Sequence, residues 1–157
     1  MAVTKLVHEA DKEFDCSLLH GKYATITMHG QDVGYARVGI VSSGGNYVLF
    51  RFRGRLGVAY KPYIKDITEV RMTERMLKKE PPFSVEAWDP ELNPYFRFVG
   101  LRCDIHLHQT RMFEATPGFF RAKILYVDEQ NGLIRIKENS KQFNVKMHMI
   151  CGMLECE

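Results

Sequence analysis

The feature that most constrains this chain of 157 residues is an alternation of apolar and polar side chains in several short stretches. Residues 101–108 alternate in this way, and so do residues 23–28, 36–40 and 48–52. A period of two is typical of a strand that is buried on one face and polar on the other. The alternation therefore predicts an all-β protein built from short strands.

The alternating stretches occur twice, in the same order. Residues 35–50 align with residues 121–136 without a gap, at an offset of 86. The stretch before them repeats at an offset of 79, and residues 64–70 repeat at an offset of 83. Each copy provides four or five strands, and a flat sheet of that size leaves an apolar face and open edges. We therefore expect two small β-barrels in tandem, because closing the sheet removes both problems.

The segment between the copies differs from both. It begins with charged residues typical of a short helix, which we expect to end at Pro81-Pro82, and it continues with a linker that contains Trp88. Because this linker is aromatic rather than Gly/Ser-rich, we expect it to pack on the barrels, with Trp88 as a buried staple or as an exposed anchor for a partner. The predicted organisation is an N-terminal arm or short helix (1–18), a first barrel (19–72), a helix and packed linker (73–97) and a second barrel (98–157).

Composition excludes several classes of protein. The chain is 45% hydrophobic and 26% charged, which is ordinary for a globular domain and unlike a disordered, collagenous or coiled-coil sequence. No apolar run approaches the roughly 20 residues that span a bilayer, and residues 1–15 do not resemble a targeting signal. The four cysteines form no Cys-x-x-Cys pair. We therefore expect reduced thiols in an intracellular protein, nuclear or cytoplasmic, without a membrane partner.

Basic residues are concentrated in one internal segment. Residues 51–79 carry nine Lys or Arg and three Asp or Glu, whereas the flanking parts of the chain are slightly acidic. Such a segment is either a solvated charged surface or a patch for a phosphate-bearing partner such as RNA or DNA, with Tyr60 and Tyr63 as stacking platforms. The candidate nucleic-acid-binding residues are Arg51, Arg53, Arg55, Arg71, Arg75, Lys78 and Lys79.

Residues 118–124, Gly-Phe-Phe-Arg-Ala-Lys-Ile, resemble the second strand of Tudor-like domains of the Royal family. An apolar third strand follows at residues 133–136, and residues 35–38 and 47–52 fit the same template in the first copy. The resemblance implies two SH3-like barrels that cover most of the chain. Sm-like barrels have the same strand order and are a second, similar resemblance.

Tudor domains typically bind methylated lysine or arginine inside a cage of aromatic rings, because a methylated cation is poorly hydrated but still charged. Neither copy here carries a complete aromatic set. The strand period turns Phe120 inward and leaves Tyr35, Tyr60 and Phe119 on the outer face. The residues that the resemblance assigns to peptide or methyl-residue binding are Tyr35, Phe52, Tyr60, His108, Phe119, Phe120, Glu138 and Asn139.

Motifs for catalysis and for metal binding are weak. The chain contains no G-x-S-x-G, G-x-x-x-x-G-K-[ST], G-x-G-x-x-G or H-E-x-x-H sequence, so we expect no enzyme and no cofactor. His106 and His108 share a strand face, but a tetrahedral site needs two more ligands, and we assign no metal. Arg51 and Arg55 match half of a PilZ signature for cyclic dinucleotides, and its other half is absent.

These observations together predict a non-catalytic binding or adaptor protein. Its partner would be a protein or peptide, with or without a methylated side chain, in a chromatin or ribonucleoprotein setting. A nucleic-acid-binding module that uses residues 51–79 and a structural subunit of the Sm-like type are the alternatives. The sequence specifies neither the identity of the partner nor the oligomeric state.

Overall fold

A computed structural model describes residues 3–9, 12–29, 34–108 and 118–157 of the chain. Within this part the protein is mostly strand, which confirms the all-β class. The strands are β1 (Lys5–Val7), β2 (Tyr23–Met28), β3 (Gly34–Gly44), β4 (Tyr47–Phe52), β5 (Arg55–Tyr60), β6 (Ile64–Glu69), β7 (Arg102–Leu107), β8 (Gly118–Asp128), β9 (Leu133–Glu138), β10 (Lys141–Lys146) and β11 (Ile150–Glu155). The helical segments are α1 (Glu74–Leu77) and four 3-10 turns, Ser17–Leu19, Lys61–Tyr63, Pro94–Phe98 and Met147–Met149.

These strands form one continuous sheet in the order β1-β6-β2-β3-β4-β5-β11-β7-β8-β9-β10. Strands β2–β6, here called the first half, and strands β7–β11, the second half, have the same internal order and the same 3-10 turn before their last strand. The halves join through antiparallel pairing of β5 with β11. The division into two tandem barrels stays a prediction, since the sheet itself is unbroken.

Strand pairing gives the offsets between the halves. Strand β3 corresponds to β8 at an offset of 84, since Val38 and Ala122 hold equivalent positions. The following strands correspond at 86, because the turn after β3 has two residues and the turn after β8 has four. The expected offset of 83 for the last strand is wrong: Ile64 corresponds to Ile150.

A β-bulge in β3 and in β8 reverses the expected phase of the residues that precede it, whereas the residues after it keep the expected phase. Arg37 and Arg121 adopt φ values of 54° and 53°, and each is an extra residue opposite the partner strand. Tyr35 therefore points inward and is only 5% exposed, whereas Phe120 is 62% exposed. Both orientations are opposite to those expected from simple alternation, because a bulge adds one residue to the period of two.

Two cores lie along the sheet, and they exchange side chains across the junction. The second core includes Val41, Leu49, Leu56 and Val58 from the first half. The first core in turn includes Cys151 from the last strand. The halves therefore pack as neighbours that share apolar surface.

The linker lies along β3, as its aromatic composition predicts. Phe83 packs on Gly39 and Trp88 packs on Gly44, positions where any side chain would overlap the rings. Between these two contacts the Glu86 N–H donates to the Val41 carbonyl at 3.1 Å. Trp88 is half-buried, so it contributes to packing and keeps part of its surface accessible.

Helix α1 is shorter than residues 73–80, over which the sequence predicts a helix. Thr73 caps it, with its hydroxyl accepting from the Met76 N–H at 3.2 Å, and Pro81 and Pro82 follow its last turn. Within the described residues, no helix has the length and apolar character to cross a membrane.

Candidate functional site

A row of aromatic rings lies at one end of the junction between the halves. The rings of Tyr47 and Tyr60 are 5.4 Å apart, and those of Tyr60 and Tyr63 are 5.6 Å apart. His108 stacks on Tyr63 at 4.4 Å with an interplanar angle of 11°. We call these four residues the aromatic groove.

Each member of the aromatic groove is placed by regular structure. Tyr47 and Tyr60 face each other across the β4–β5 pair, and Tyr63 ends the 3-10 turn that follows. His108 follows β7, and its N–H donates to the Met149 carbonyl at 2.8 Å. The Tyr63 hydroxyl donates to the His148 carbonyl at 2.7 Å. Both halves therefore supply rings and the bonds that hold them.

Two cavities share Tyr47 in their lining. The first is about 370 Å³ in volume, and Tyr60, Lys146 and His148 contribute to its lining. The second is about 270 Å³, and Trp88, Glu91 and Glu129 contribute to its lining. The first cavity therefore has basic residues in its lining and the second has acidic ones, so the two cavities that share Tyr47 differ in charge.

The Tyr47 side chain that both cavities share is uncharged. Burial raises the pKa of its phenol to about 12, and the neighbouring Tyr60 and Glu129 act in the same direction. The hydroxyl therefore stays protonated at physiological pH, and the ring presents an apolar face and a neutral polar tip to both cavities.

Of the predicted cage residues, the structure brings Tyr60 and His108 together, since both contact Tyr63. Tyr35 is not at the surface, because the bulge turns it into the first core. Phe52 lies at the end of β4, where the guanidinium groups of Arg53 and Arg55 lie 5.3 and 5.0 Å from its ring centre.

The other predicted cage residues lie elsewhere in the second half. Phe119 packs on Phe143 at 5.3 Å. The N–H of the exposed Phe120 donates to the Glu138 carboxylate at 2.8 Å. Asn139 occupies the turn after β9 with a φ of 56°. These four therefore do not join Tyr60 and His108.

Sequence patterns named Tyr60 and Tyr63 as stacking platforms and Trp88 as a staple or anchor, but they did not combine these residues with Tyr47 as one binding set. Tyr47 lies beside Tyr60 through the β4–β5 register, Tyr63 follows in the next 3-10 turn, and Trp88 of the linker lines the second cavity together with Tyr47. The sequence positions of Tyr47, Tyr60 and Tyr63 could have indicated this site, because they place rings at the start of β4, at the end of β5 and in the turn that follows. This indication becomes specific only once the β4–β5 pairing is known.

The basic segment folds into two neighbouring parts. Arg51, Arg53 and Arg55 do not share one strand, because a turn at Arg53-Gly54 separates β4 from β5. Pro81, just after the basic helix, lies 3.5 Å from the position a side chain would take at Gly54. Among the described residues, no ion pair includes any of the seven predicted nucleic-acid-binding residues.

The largest of the cavities described here, about 460 Å³ in volume, lies beside the turn at Arg53. Arg37, Arg53, Phe52, Asp104 and His106 all contribute to its lining. Asp104 is already engaged, since one of its carboxylate oxygens accepts from a backbone N–H of β8 at 2.9 Å. This cavity offers guanidinium groups next to an aromatic ring.

The buried cysteines stay in their thiol form, and His106 and His108 are held in separate contacts. Burial raises the pKa of Cys16 and Cys151 to about 11 and that of Cys103 to about 12, so these thiols stay protonated. No cluster of three or more His, Cys, Asp or Glu there is arranged to hold a metal ion. His106 bonds to Tyr35 while His108 stacks on Tyr63, so the two imidazoles serve different contacts.

We expect the free energy of unfolding to fall as the pH is lowered from about 7 to about 5. His106 shares a 2.6 Å hydrogen bond with the Tyr35 hydroxyl, and burial lowers the pKa of its imidazole below the usual value of about 6.5. At acid pH the unfolded chain therefore binds a proton at His106 more readily than the folded protein does. The stability that comes from the neutral imidazole is present above pH 6.5 and is lost as the pH falls below this value.

Chemical denaturation at several pH values measures this dependence. The His106→Gln variant should show a shallower slope than the original chain. The His20→Gln variant is a second test, because burial also lowers the pKa of His20, which bonds to Ser43 rather than across the junction, so this variant should reduce the slope as well. An unchanged slope in His106→Gln would show that this imidazole is not the titrating group.

Comparison with protein-family models, with curated proteins and with solved structures finds no match to this chain. Arguments about function therefore rest on the aromatic groove and on the charges around it.

Proposed function

We propose that this protein is a non-catalytic binding module that holds an extended peptide in the aromatic groove. The observation that carries the proposal is the position of Tyr47, which lines both a cavity with basic residues and a cavity with acidic residues. A peptide lying across Tyr47 can place one side chain in each cavity. Aromatic side chains gain much of their contact energy at such half-buried positions, because they lose little conformational entropy on binding.

The acidic cavity favours a cationic side chain of the peptide. Glu91 and Glu129 supply negative charge, while Tyr47 and Trp88 supply ring faces, and both kinds of group attract a cation. A methylated lysine or arginine is less strongly hydrated than the unmodified side chain and gains more from the rings. This agrees with the ligand class that the Tudor-like resemblance implies, although the residues are different ones.

A peptide library with a fixed central residue tests this proposal. The central position carries lysine, trimethyllysine, arginine, dimethylarginine or, as a neutral control, glutamine, and binding is measured by fluorescence anisotropy. We expect the cationic peptides to bind at least about fivefold more tightly than the glutamine peptides, since one good cation–π contact is worth about 1 kcal/mol or more. Trimethyllysine should bind most tightly.

The variants Tyr47→Ala and Glu129→Gln should weaken this binding. Phe120→Ala is the matched control, because Phe120 is an exposed aromatic side chain remote from the groove. Equal binding of the lysine and glutamine libraries would contradict the cationic subsite. Undiminished binding by Tyr47→Ala would place the peptide elsewhere and overturn the proposal.

Nucleic-acid binding is the second candidate, supported by the absence of ion-pair partners for the seven basic residues in the described part of the chain. The guanidinium groups beside Phe52 combine phosphate contacts with a stacking surface. If single-stranded RNA binds with a steep salt dependence that Arg53→Ala and Arg55→Ala reduce, this candidate is favoured. Unchanged RNA binding by both variants would exclude this surface.

A further inference from the structure

The short N-terminal strand β1 occupies on β6 the same position that β5 occupies on β11. In the first half, Leu6 pairs with Ile67. In the second half, Val58 pairs with Met153, which corresponds to Ile67 at the offset of 86. The residues on either side of each pair correspond in the same way. Strand β1 therefore pairs with β6 in the same register in which β5 pairs with β11.

A hydrogen bond to a glutamate side chain also matches between the β1–β6 pair and the β5–β11 pair, in addition to the backbone pairing. The Thr4 N–H donates to the Glu69 carboxylate at 3.1 Å, and the Leu56 N–H donates to the Glu155 carboxylate at 3.0 Å. Glu69 and Glu155 hold the same position at the end of β6 and β11. The last strand of each half therefore has an edge to which another strand is added. A glutamate at that edge accepts a hydrogen bond from an N–H near the start of the added strand.

The two added strands differ in how much apolar surface they bury. Strand β5 directs Leu56 and Val58 into the second core, where they are 4% and 0% exposed. At the equivalent positions β1 directs Thr4 and Leu6 towards the first half, and both are only half-buried. Because burial of apolar side chains is the main source of stability at such a contact, β1 holds the edge of β6 more weakly than β5 holds that of β11.

Strand β10 corresponds to β5 at the offset of 86 and is therefore the third strand of this kind. Its side chains make it unsuited to pairing with the edge of β6. Gln142 and Asn144 stand where β5 has Leu56 and Val58, and both accept hydrogen bonds from Arg135, at 3.2 and 3.0 Å. Burying these polar side chains against an apolar edge would be unfavourable. A second copy of this chain is therefore a poor occupant of the β6 edge.

We propose that the edge of β6 is a strand-binding site for an extended segment of a partner protein with aliphatic side chains two residues apart, and that β1 closes this site in the free protein. The partner strand would take the place of β1, donate its leading N–H to Glu69 and bury its aliphatic pair where Thr4 and Leu6 now lie. Strand addition of this kind combines main-chain hydrogen bonds with side-chain specificity. The site is separate from the aromatic groove.

Two peptides taken from the chain itself provide a matched test. Residues 54–61 (Gly-Arg-Leu-Gly-Val-Ala-Tyr-Lys) carry the aliphatic pair, and residues 140–147 (Ser-Lys-Gln-Phe-Asn-Val-Lys-Met) carry the polar pair with the same formal side-chain charge. Both are labelled and titrated against the full chain and against Leu6→Asp, which weakens β1. We expect the first peptide to bind Leu6→Asp at least about tenfold more tightly than the original chain, and the second to bind neither.

Further variants separate peptide binding from loss of folding. Thr4→Pro removes the N–H that bonds to Glu69 and leaves Leu6 in place, so it should also increase peptide affinity. Glu69→Ala in the Leu6→Asp chain should decrease affinity. In the original chain, excess first peptide should speed hydrogen exchange at His8, whose N–H donates to the Lys65 carbonyl at 3.0 Å.

Two results would overturn the proposal. One is that the peptide of residues 54–61 binds none of these proteins while circular dichroism shows them folded. The other is that both peptides bind equally well. If the Tyr47→Ala variant no longer binds the library peptides but still binds the peptide of residues 54–61, the two sites are independent.

Discussion

Replacing Gly152 with alanine should lower the free energy of unfolding by about 2–4 kcal/mol, as expected for overpacking combined with the loss of a buried hydrogen bond. A Cβ atom at this position would overlap the hydroxyl of Tyr35. Tyr35 cannot easily move aside, because its ring packs on Phe50 in the first core and its hydroxyl bonds to His106. The substitution therefore disturbs the place where the two halves join.

A double-mutant cycle with Tyr35→Phe tests this explanation, with unfolding followed in urea. Removing the hydroxyl removes the closest contact, although the end of the ring would still lie 2.8 Å from the new methyl group. We therefore expect Gly152→Ala to cost clearly less in the Tyr35→Phe chain. Equal costs in the two chains would mean that the damage arises from the β11 backbone rather than from Tyr35.

The same chemical change at two buried tyrosines should have opposite effects on stability. Tyr35→Phe is expected to destabilise the protein by about 1–3 kcal/mol, because it leaves the partly buried His106 nitrogen without its hydrogen bond. Tyr95→Phe is expected to stabilise it by about 1 kcal/mol. The Tyr95 side chain is 1% exposed, and its hydroxyl has no hydrogen-bond partner among the described residues, so removing it removes an uncompensated desolvation cost.

Thermal and urea unfolding of the two single variants measure this difference directly. Both tyrosines sit in apolar surroundings, and burial raises the pKa of each well above its usual value, so neither hydroxyl is ionised under the conditions of the experiment. The pair is therefore a matched comparison of a partnered and an unpartnered hydroxyl. A destabilised Tyr95→Phe variant would contradict the assignment.

Much of the local structure was predictable from patterns within a few residues. Alternation located the strands around Ile26 and Ile105. The proline pair set an outer limit for the helix, which ends earlier, at Leu77, and the aromatic linker was expected to pack. These features depend on neighbours in sequence, so the chain itself carries the information for them.

The candidate site was only partly predictable. Tyr60 and His108 were among the expected binding residues and do lie together, but their partners Tyr47 and Trp88 come from the opposite strand and from the linker. Tyr35 was expected on the surface and lies in the core. A period of two cannot reveal a single inserted residue, so the bulge at Arg37 reversed the orientation of the residues before it.

The sequence by itself determined that this protein is built from short strands in two similar runs, because side-chain alternation and turn residues act locally. Only the tertiary structure decided that β5 pairs with β11, that β1 takes the equivalent place on β6, and that Tyr47 lines two cavities that differ in charge. Each of these depends on pairing between residues distant in the chain. Such pairing is selected by the total burial and hydrogen bonding of the folded state, which no short stretch of sequence records.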